Sequence, residues 1–153
     1  MFEEMDRHKY LDVLEIGETE DWELRIVIAE AGAIENSEPL TPEEEPDASI
    51  RELLSGCRPI EVTASSSIYE VRFEDYVTYS IRNESFVSAD PGEVYEGQLA
   101  RIYSKSAFLD YVANSTFATS DYPGPFKHYG FCCLNHIVDV AALVPPTVTR
   151  MNA

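Results

Sequence analysis

The chain has 153 residues, 44% of them hydrophobic, and a formal net charge of −17 from 28 acidic and 11 basic side chains. This length predicts a single domain, residues 1–153. So acidic a surface repels phosphate groups and anionic lipids, which argues against nucleic-acid and membrane partners. The N-terminus is acidic and lacks an apolar signal segment, so we expect a cytoplasmic protein.

Two apolar runs near the N-terminus, residues 9–16 and 22–31, flank the polar segment 17–21. The second run places Trp22, Leu24, Ile26 and Ile28 on one face, the period-two alternation of a strand. The first run alternates poorly and fits an edge strand or a partly helical segment. Together they predict a hairpin.

Residues 35–47 combine three prolines with Glu43, Glu44 and Glu45. Dense prolines exclude regular helix and central strand, and adjacent glutamates repel one another, so we predict an acidic, proline-rich loop. Residues 1–48 hold 16 acids and 3 bases, a net −13. A basic protein partner would be attracted to this third of the chain, and the three glutamates are its candidate contacts.

A short helix is predicted over residues 49–55. Ser49 and Glu52 have the spacing of a capping box, and Gly56 is a natural stop. Residues 59–64 follow as a short strand.

The most regular pattern runs from Ile68 to Phe86. Its alternate positions are apolar and should face the core. These positions are Tyr69, Val71, Phe73, Val77, Tyr79 and Ile81. Glu74-Asp75 interrupts the pattern, which fits either one long bent strand or two strands.

The second half contains a turn at 88–92, a strand at 98–103 and a principal helix over about 105–114. Ser104 or Ser106 would cap this helix, and Phe108, Leu109 and Val112 form its apolar face. Residues 128–144 fit one bent strand, or a hairpin that turns at Leu134-Asn135; we favour the bent strand, because no glycine accompanies the asparagine. Residues 147–153 are predicted to be a tail.

These elements predict an α+β fold with a mostly antiparallel, curved sheet of about six to seven strands, for which a barrel is one possible closure. One principal helix (105–114) and one short helix (49–55) accompany the sheet.

Histidines and cysteines near the C-terminus suggest a metal site, because His128, Cys132 and His136 share parity. Four residues of strand span about 13 Å, however, and zinc ligands must converge on one ion. We therefore expect no metal and no cofactor. Cys132 and Cys133 lie in an apolar run, where burial disfavours a reactive thiolate, so we predict no catalytic cysteine or other catalytic residue.

The polar residues that end the central pattern are the best candidates for a ligand site. Glu84 could act as a base and Arg82 could bind an anion, although such residues often pair with one another or with Arg101 and Asp139 on neighbouring strands. The candidate ligand-binding residues are Tyr79, Arg82, Glu84, Tyr103 and His136, on the concave side of the sheet.

Two functional hypotheses follow. The first is a non-enzymatic protein that acts by binding another protein, for example as an inhibitor or immunity-type partner of a basic toxin or nuclease. The alternative is a small-molecule-binding or catalytic domain with its site around Arg82, Glu84 and His136. The sequence does not determine the oligomeric state.

Overall fold

The computed structural model describes residues 2–34 and 47–151. Within them, ten strands form two antiparallel sheets, accompanied by three α-helices and one 3₁₀ turn. The fold is therefore α+β, as predicted. Both sheets are open, so the barrel closure is not adopted. No helix in the described part of the chain is long and apolar enough to cross a membrane.

The first sheet has the strand order β1-β2-β4-β10, and β3 pairs with one end of β2. Its strands are β1 (Tyr10–Glu18), β2 (Leu24–Ala33), β3 (Ile60–Glu61), β4 (Ile68–Phe73) and β10 (Thr147–Arg150). The predicted N-terminal hairpin is confirmed as β1 and β2, with β1 at the edge of the sheet.

The second sheet has the order β5-β9-β8-β7-β6. Its strands are β5 (Tyr76–Asn83), β6 (Val94–Glu96), β7 (Ala100–Lys105), β8 (Lys127–Cys132) and β9 (His136–Ala142). The 3₁₀ turn Glu84–Phe86 follows β5 directly.

The helices are α1 (Phe2–Met5), α2 (Ala48–Ser55) and α3 (Ala107–Ser115). Helix α3 packs against the outer face of the second sheet, where Val112 is fully buried and Phe108 lies 4.8 Å from the His128 ring. Ser106 is the N-cap, because its hydroxyl accepts the Leu109 amide. In α2 the predicted capping box is wrong: Asp47 is the N-cap, and its carboxylate accepts the Ser49 amide.

The facing sides of the two sheets share one hydrophobic core. Phe73 of the first sheet lies 5.5 Å from Tyr129 of the second, measured between ring centroids. The carboxylate of Asp6 accepts the amides of Gln98, Leu99 and Ala100, which ties the segment after α1 to the start of β7.

The central pattern forms two strands that belong to different sheets, since the chain crosses between them at Glu74-Asp75. In β4, Tyr69, Val71 and Phe73 are fully buried, as predicted. In β5 the prediction holds only in part. A bulge follows Tyr76, so Tyr76 packs on the core in place of Val77, whereas Tyr79 packs there as predicted. Ile81 is 44% exposed, because β5 is an edge strand.

Two further expectations are wrong. Residues 128–144 form the hairpin β8–β9 and not one bent strand; the Leu134 amide in its turn donates to the Leu11 carbonyl of β1, a contact that the local sequence does not reveal. Residues 147–150 of the predicted tail are strand β10, which pairs with β4. Three of these four residues are β-branched, and pairing satisfies their backbone groups.

Candidate functional cleft

Strand alternation gives the second sheet a polar outer face. Tyr129, Phe131, Val138 and Val140 point into the core. The residues at the alternate positions of the strands in this sheet therefore point the other way, towards the face that α3 covers. This outer set comprises Arg82 on β5, Arg101 and Tyr103 on β7, His128 on β8 and Asp139 on β9.

A cleft of about 560 Å³ opens at one end of this face. Three of the residues predicted from sequence line it, namely Arg82, Glu84 and Tyr103. Arg101 and Cys132 complete the polar part of its wall. The loop that follows the 3₁₀ turn and the start of β1 form the other sides, so the cleft unites segments from distant parts of the chain.

Arg101 is the cation with the most unusual surroundings. Its Nε donates to the Gln98 carbonyl at 2.7 Å, its Nη1 lies 3.3 Å from the Tyr103 hydroxyl, and its guanidinium stacks 4.3 Å from the centre of the Tyr95 ring. Arg25 and Arg72 on the first sheet each bind two carboxylates. Arg101, in contrast, forms no ion pair with a carboxylate of the described residues.

Burial and hydrogen bonding set the ionisation of these groups. Burial is the largest influence on the pKa of Arg101 and lowers it, but the hydrogen bond to Tyr103 and the electrostatic interactions with Cys132, Tyr103 and Tyr95 together outweigh burial, so this pKa is raised and the guanidinium stays charged. Burial raises the pKa of Tyr103, which Arg101 opposes in part. Burial likewise raises the pKa of the Cys132 thiol, against the opposing charge of Arg101. The cleft therefore presents a cation, a phenol and a protonated thiol at neutral pH.

Tyr103 reaches its position because residue 130 is glycine. A Cβ atom at Gly130 would lie 2.7 Å from the Tyr103 ring, closer than side-chain atoms pack. The ring instead lies flat on His128, with centroids 4.1 Å apart and planes 10° apart. The missing side chain thus allows β7 to place an aromatic wall over β8.

Behind this wall lies a buried polar network. Asp139 Oδ2 accepts a hydrogen bond from Arg82 Nε at 3.0 Å and forms an ion pair with Arg82 Nη2 at 2.8 Å. Asp139 Oδ1 lies 2.9 Å from His128 Nε2, and His128 Nδ1 lies 2.8 Å from Ser106 Oγ. Ser106, His128 and Asp139 are between 1% and 3% exposed. The structure therefore pairs Arg82 with Asp139, one of the partners that the sequence suggested.

A second cavity, of about 440 Å³, lies between β5 and α3. Tyr79 lines this cavity and not the cleft, together with Phe108 and Tyr111. Arg82 and Glu93 line both, so the two spaces adjoin at these side chains.

The remaining candidates lie elsewhere. His136 is not among the residues that line the cleft, and its buried Nδ1 has no hydrogen-bond partner in the described structure. Glu43, Glu44 and Glu45 lie outside the described residues. Over residues 2–34 and 47–151, no group of three or more His, Cys, Asp or Glu side chains could hold a metal ion.

Neither cysteine of the β8–β9 hairpin has the surroundings of a nucleophile. Both nitrogens of His128 are already engaged, with Ser106 and Asp139. Cys133 is 5% exposed, and burial raises the pKa of its thiol far above the ordinary value. A thiol nucleophile needs the opposite shift.

Comparison with known proteins gave no match. Neither a scan of protein-family models nor searches of curated proteins and solved structures found a counterpart of this chain. The side chains of the cleft are therefore the basis for the function proposed below.

Sequence reasoning missed two parts of this site. The sequence suggests Arg101 only as a pairing partner for the polar residues Arg82 and Glu84, although its spacing from Tyr103 places both on one face of β7. The Ser106–His128–Asp139 network had no local signal, because its members are separated by 22 and 11 residues.

Proposed function

We propose that this protein binds a small organic anion in the cleft, with Arg101 as the anion receptor. The observation that supports this function best is a half-buried guanidinium that has no described carboxylate partner and lies in the wall of a cleft. Taking a charge out of water is costly unless an opposite charge compensates it. A bound carboxylate or phosphate would supply that compensation and could accept two hydrogen bonds from the guanidinium.

The other cleft residues restrict the ligand. Tyr95 and Tyr103 form an aromatic wall suited to a planar or apolar group beside the anion. Glu84, Asp90 and Glu93 also line the cleft, and the whole chain carries −17. These charges disfavour multiply charged anions. A ligand with a single anionic group, an apolar body and hydrogen-bond donors for the carboxylates matches this lining.

A titration with benzoate, followed by NMR of ¹⁵N-labelled protein, tests this function. Benzoate has nine non-hydrogen atoms, and at about 0.3 kcal/mol per atom its Kd should be about 10 mM. We expect saturable shifts at the backbone amides of residues 99–103 and at the Arg101 Nε–H. Arg101→Gln should abolish saturation up to about 100 mM benzoate, because a hydrogen bond to a charged group contributes about 1.5–3 kcal/mol.

Arg51→Gln is the matched control, since Arg51 is exposed on α2 and lies outside the cleft. This variant should bind benzoate as the wild type does. If wild type shows no saturable shift, or if Arg101→Gln binds with unchanged affinity, the proposed function is wrong.

We also propose, as a second candidate, binding of a basic protein. One described feature favours it: Trp22, in the β1–β2 loop, is 78% exposed beside Glu20 and Asp21. Tryptophan is enriched among residues that dominate protein interfaces, and the surrounding acids would attract a basic surface. With an identified basic partner, Trp22→Ala should weaken binding at least tenfold, whereas Phe117→Ala, equally exposed but distant in sequence, should not. Equal effects of the two substitutions would contradict this interface.

A further inference from the structure

We propose that Asp139 is the positioning residue of the cleft, which fixes the guanidinium of Arg82 where the cleft meets the second cavity. His128 and Ser106, in turn, hold the Asp139 carboxylate in place. The orientation of Arg82 follows from the structure alone, whereas its part in ligand binding rests on the function proposed above.

Arg82 would be mobile without this contact. It lies near the end of an edge strand, and its side chain is 45% exposed. Two of its three guanidinium nitrogens bind Asp139, which leaves Nη1 with no hydrogen-bond partner among the described residues. Arg82 lines both cavities, so this remaining nitrogen is the donor available to a ligand.

The burial of Asp139 makes the contact persistent. The Asp139 side chain is 2% exposed, and a buried carboxylate without a cation is strongly unfavourable. Arg82 therefore cannot turn away without a large loss of free energy, although Arg82 itself is half exposed. The free-energy penalty of separating the pair comes from leaving the buried Asp139 carboxylate without Arg82, and this penalty keeps the exposed Arg82 guanidinium in place.

The Asp139 carboxylate determines the direction of the first hydrogen bond in the network. His128 Nε2 faces a carboxylate oxygen and must carry a proton. In the neutral ring Nδ1 then accepts the hydroxyl proton of Ser106, whose oxygen accepts the Leu109 amide at 3.1 Å. Asp139 thus has two partners in the described structure, the His128 ring and the Arg82 guanidinium. Tyr103 and Phe108 both pack against the His128 ring and restrict its rotation.

Serine, histidine and aspartate are also the residues of a nucleophilic triad. Ser106 is 3% exposed and is not among the residues that line the cleft or the second cavity. Its hydroxyl is engaged with His128 and with the Leu109 amide at the start of α3. The network therefore positions other groups: Arg82 through Asp139, and Arg101 through Tyr103, which stacks on His128.

The test measures the exchange of the Arg82 Nε–H with water by NMR, in protein without ligand. In wild type this proton should exchange at least tenfold more slowly than the Nε–H of exposed Arg51. Asp139→Asn should abolish the difference, whereas Arg101→Gln should preserve it. Slow exchange that survives Asp139→Asn, or that is absent from wild type, overturns the proposal.

A second pair of variants isolates the role of His128 and covers the case in which Asp139→Asn fails to fold. His128→Gln keeps an amide donor near the Nε2 position, so protection of Arg82 should be retained. His128→Leu removes the donor, and protection should fall at least threefold. If the Arg82 Nε–H exchanges at the same rate in the two variants, the positioning role of His128 is contradicted. A histidine that only anchors the fold would change the stability of the protein and not the exchange of this proton.

Benzoate binding separates this inference from the proposed function. Arg82→Gln should weaken benzoate, Asp139→Asn should weaken it by no more than Arg82→Gln does, and the double variant should be no weaker than Arg82→Gln. Unchanged affinity in Asp139→Asn, or additive losses in the double variant, would contradict the positioning role. If benzoate does not bind wild type but the exchange results are as expected, the proposed function fails and the positioning role stands.

Discussion

Replacing Arg82 by leucine should destabilise the fold strongly, although 45% of the Arg82 side chain is exposed. An exposed arginine on an edge strand would ordinarily contribute within about ±0.5 kcal/mol. Here the substitution removes the arginine that binds Asp139, and the Asp139 side chain is 2% exposed. Removing one partner of a buried ion pair costs about 3–5 kcal/mol. Because the arginine side of this pair is in contact with water, we expect the lower limit, about 3 kcal/mol.

For a chain of this length, 1 kcal/mol corresponds to about 2–4 °C in Tm, so Arg82→Leu should lower Tm by about 6–12 °C. Circular dichroism melts at pH 7 would measure the change. Arg51→Leu, at an exposed position of α2, is the matched control and should shift Tm by no more than about 2 °C.

A double-mutant cycle shows whether the loss arises from the buried charge. Asp139→Asn removes that charge, so adding it to Arg82→Leu should cost little, with a coupling energy of about 2 kcal/mol. If Arg82→Leu melts like Arg51→Leu, or if the two substitutions are additive, Asp139 does not depend on Arg82 for its charge balance.

Four further predictions concern other parts of the molecule. Phe131→Ala should cost about 3–5 kcal/mol in chemical denaturation, since Phe131 is fully buried between the sheets, whereas Phe86→Ala, at an 85% exposed position, should cost almost nothing; similar losses would place the core elsewhere. Cys57 should react with a thiol reagent before Cys133, because burial raises the pKa of the Cys133 thiol and keeps it protonated; simultaneous labelling of native protein would contradict this. The hydrogen bond to Glu18, with burial, raises the pKa of Tyr76 to about 12, so the stabilisation that this tyrosine contributes is present below pH 10 and lost as the pH rises to about 12. Tyr76→Phe should lack this part of the alkaline loss of stability in denaturant titrations at fixed pH. Identical profiles of unfolding free energy against pH in wild type and variant would exclude the contribution. Changing Glu43, Glu44 and Glu45 to lysine should leave Tm nearly unchanged and slow association with a basic partner by about tenfold at low salt; stopped-flow rates that ignore both the substitution and the salt would remove these residues from the interface.

Local sequence was sufficient to predict most elements. Alternation in Ile68–Phe73 places Tyr69, Val71 and Phe73 inside, because side chains on a strand alternate between its faces. The N-cap Ser106 and the apolar face of α3 are likewise local features, since their contacts lie within about four residues.

Part of the candidate site was also predictable. A polar cluster at the end of an apolar strand drew attention to Arg82 and Glu84, and both line the cleft. Tyr103 was also a candidate from sequence and lines the cleft. Arg101 as a cleft residue, and the way these side chains come together, were not predictable, because they depend on which strands become neighbours. Arg101 and Tyr103 join Arg82 only because β9 and β8 lie between β5 and β7 in the second sheet.

Tertiary structure alone decided the division into two sheets. Nothing in Glu74-Asp75 distinguishes a bend within a strand from a crossing between sheets; the choice depends on burying both β4 and β5 against distant partners. The β8–β9 turn similarly depends on a hydrogen bond to β1, and β10 on pairing with β4. Gly130 also depends on tertiary structure. Its sequence context is that of an ordinary strand, and only the Tyr103 ring across it explains why a side chain at residue 130 would be excluded. The local sequence determines whether a segment forms a helix or a strand, because the contacts that decide this lie between residues near in sequence. The strand order and the cleft arise from contacts between distant segments, which no local pattern encodes.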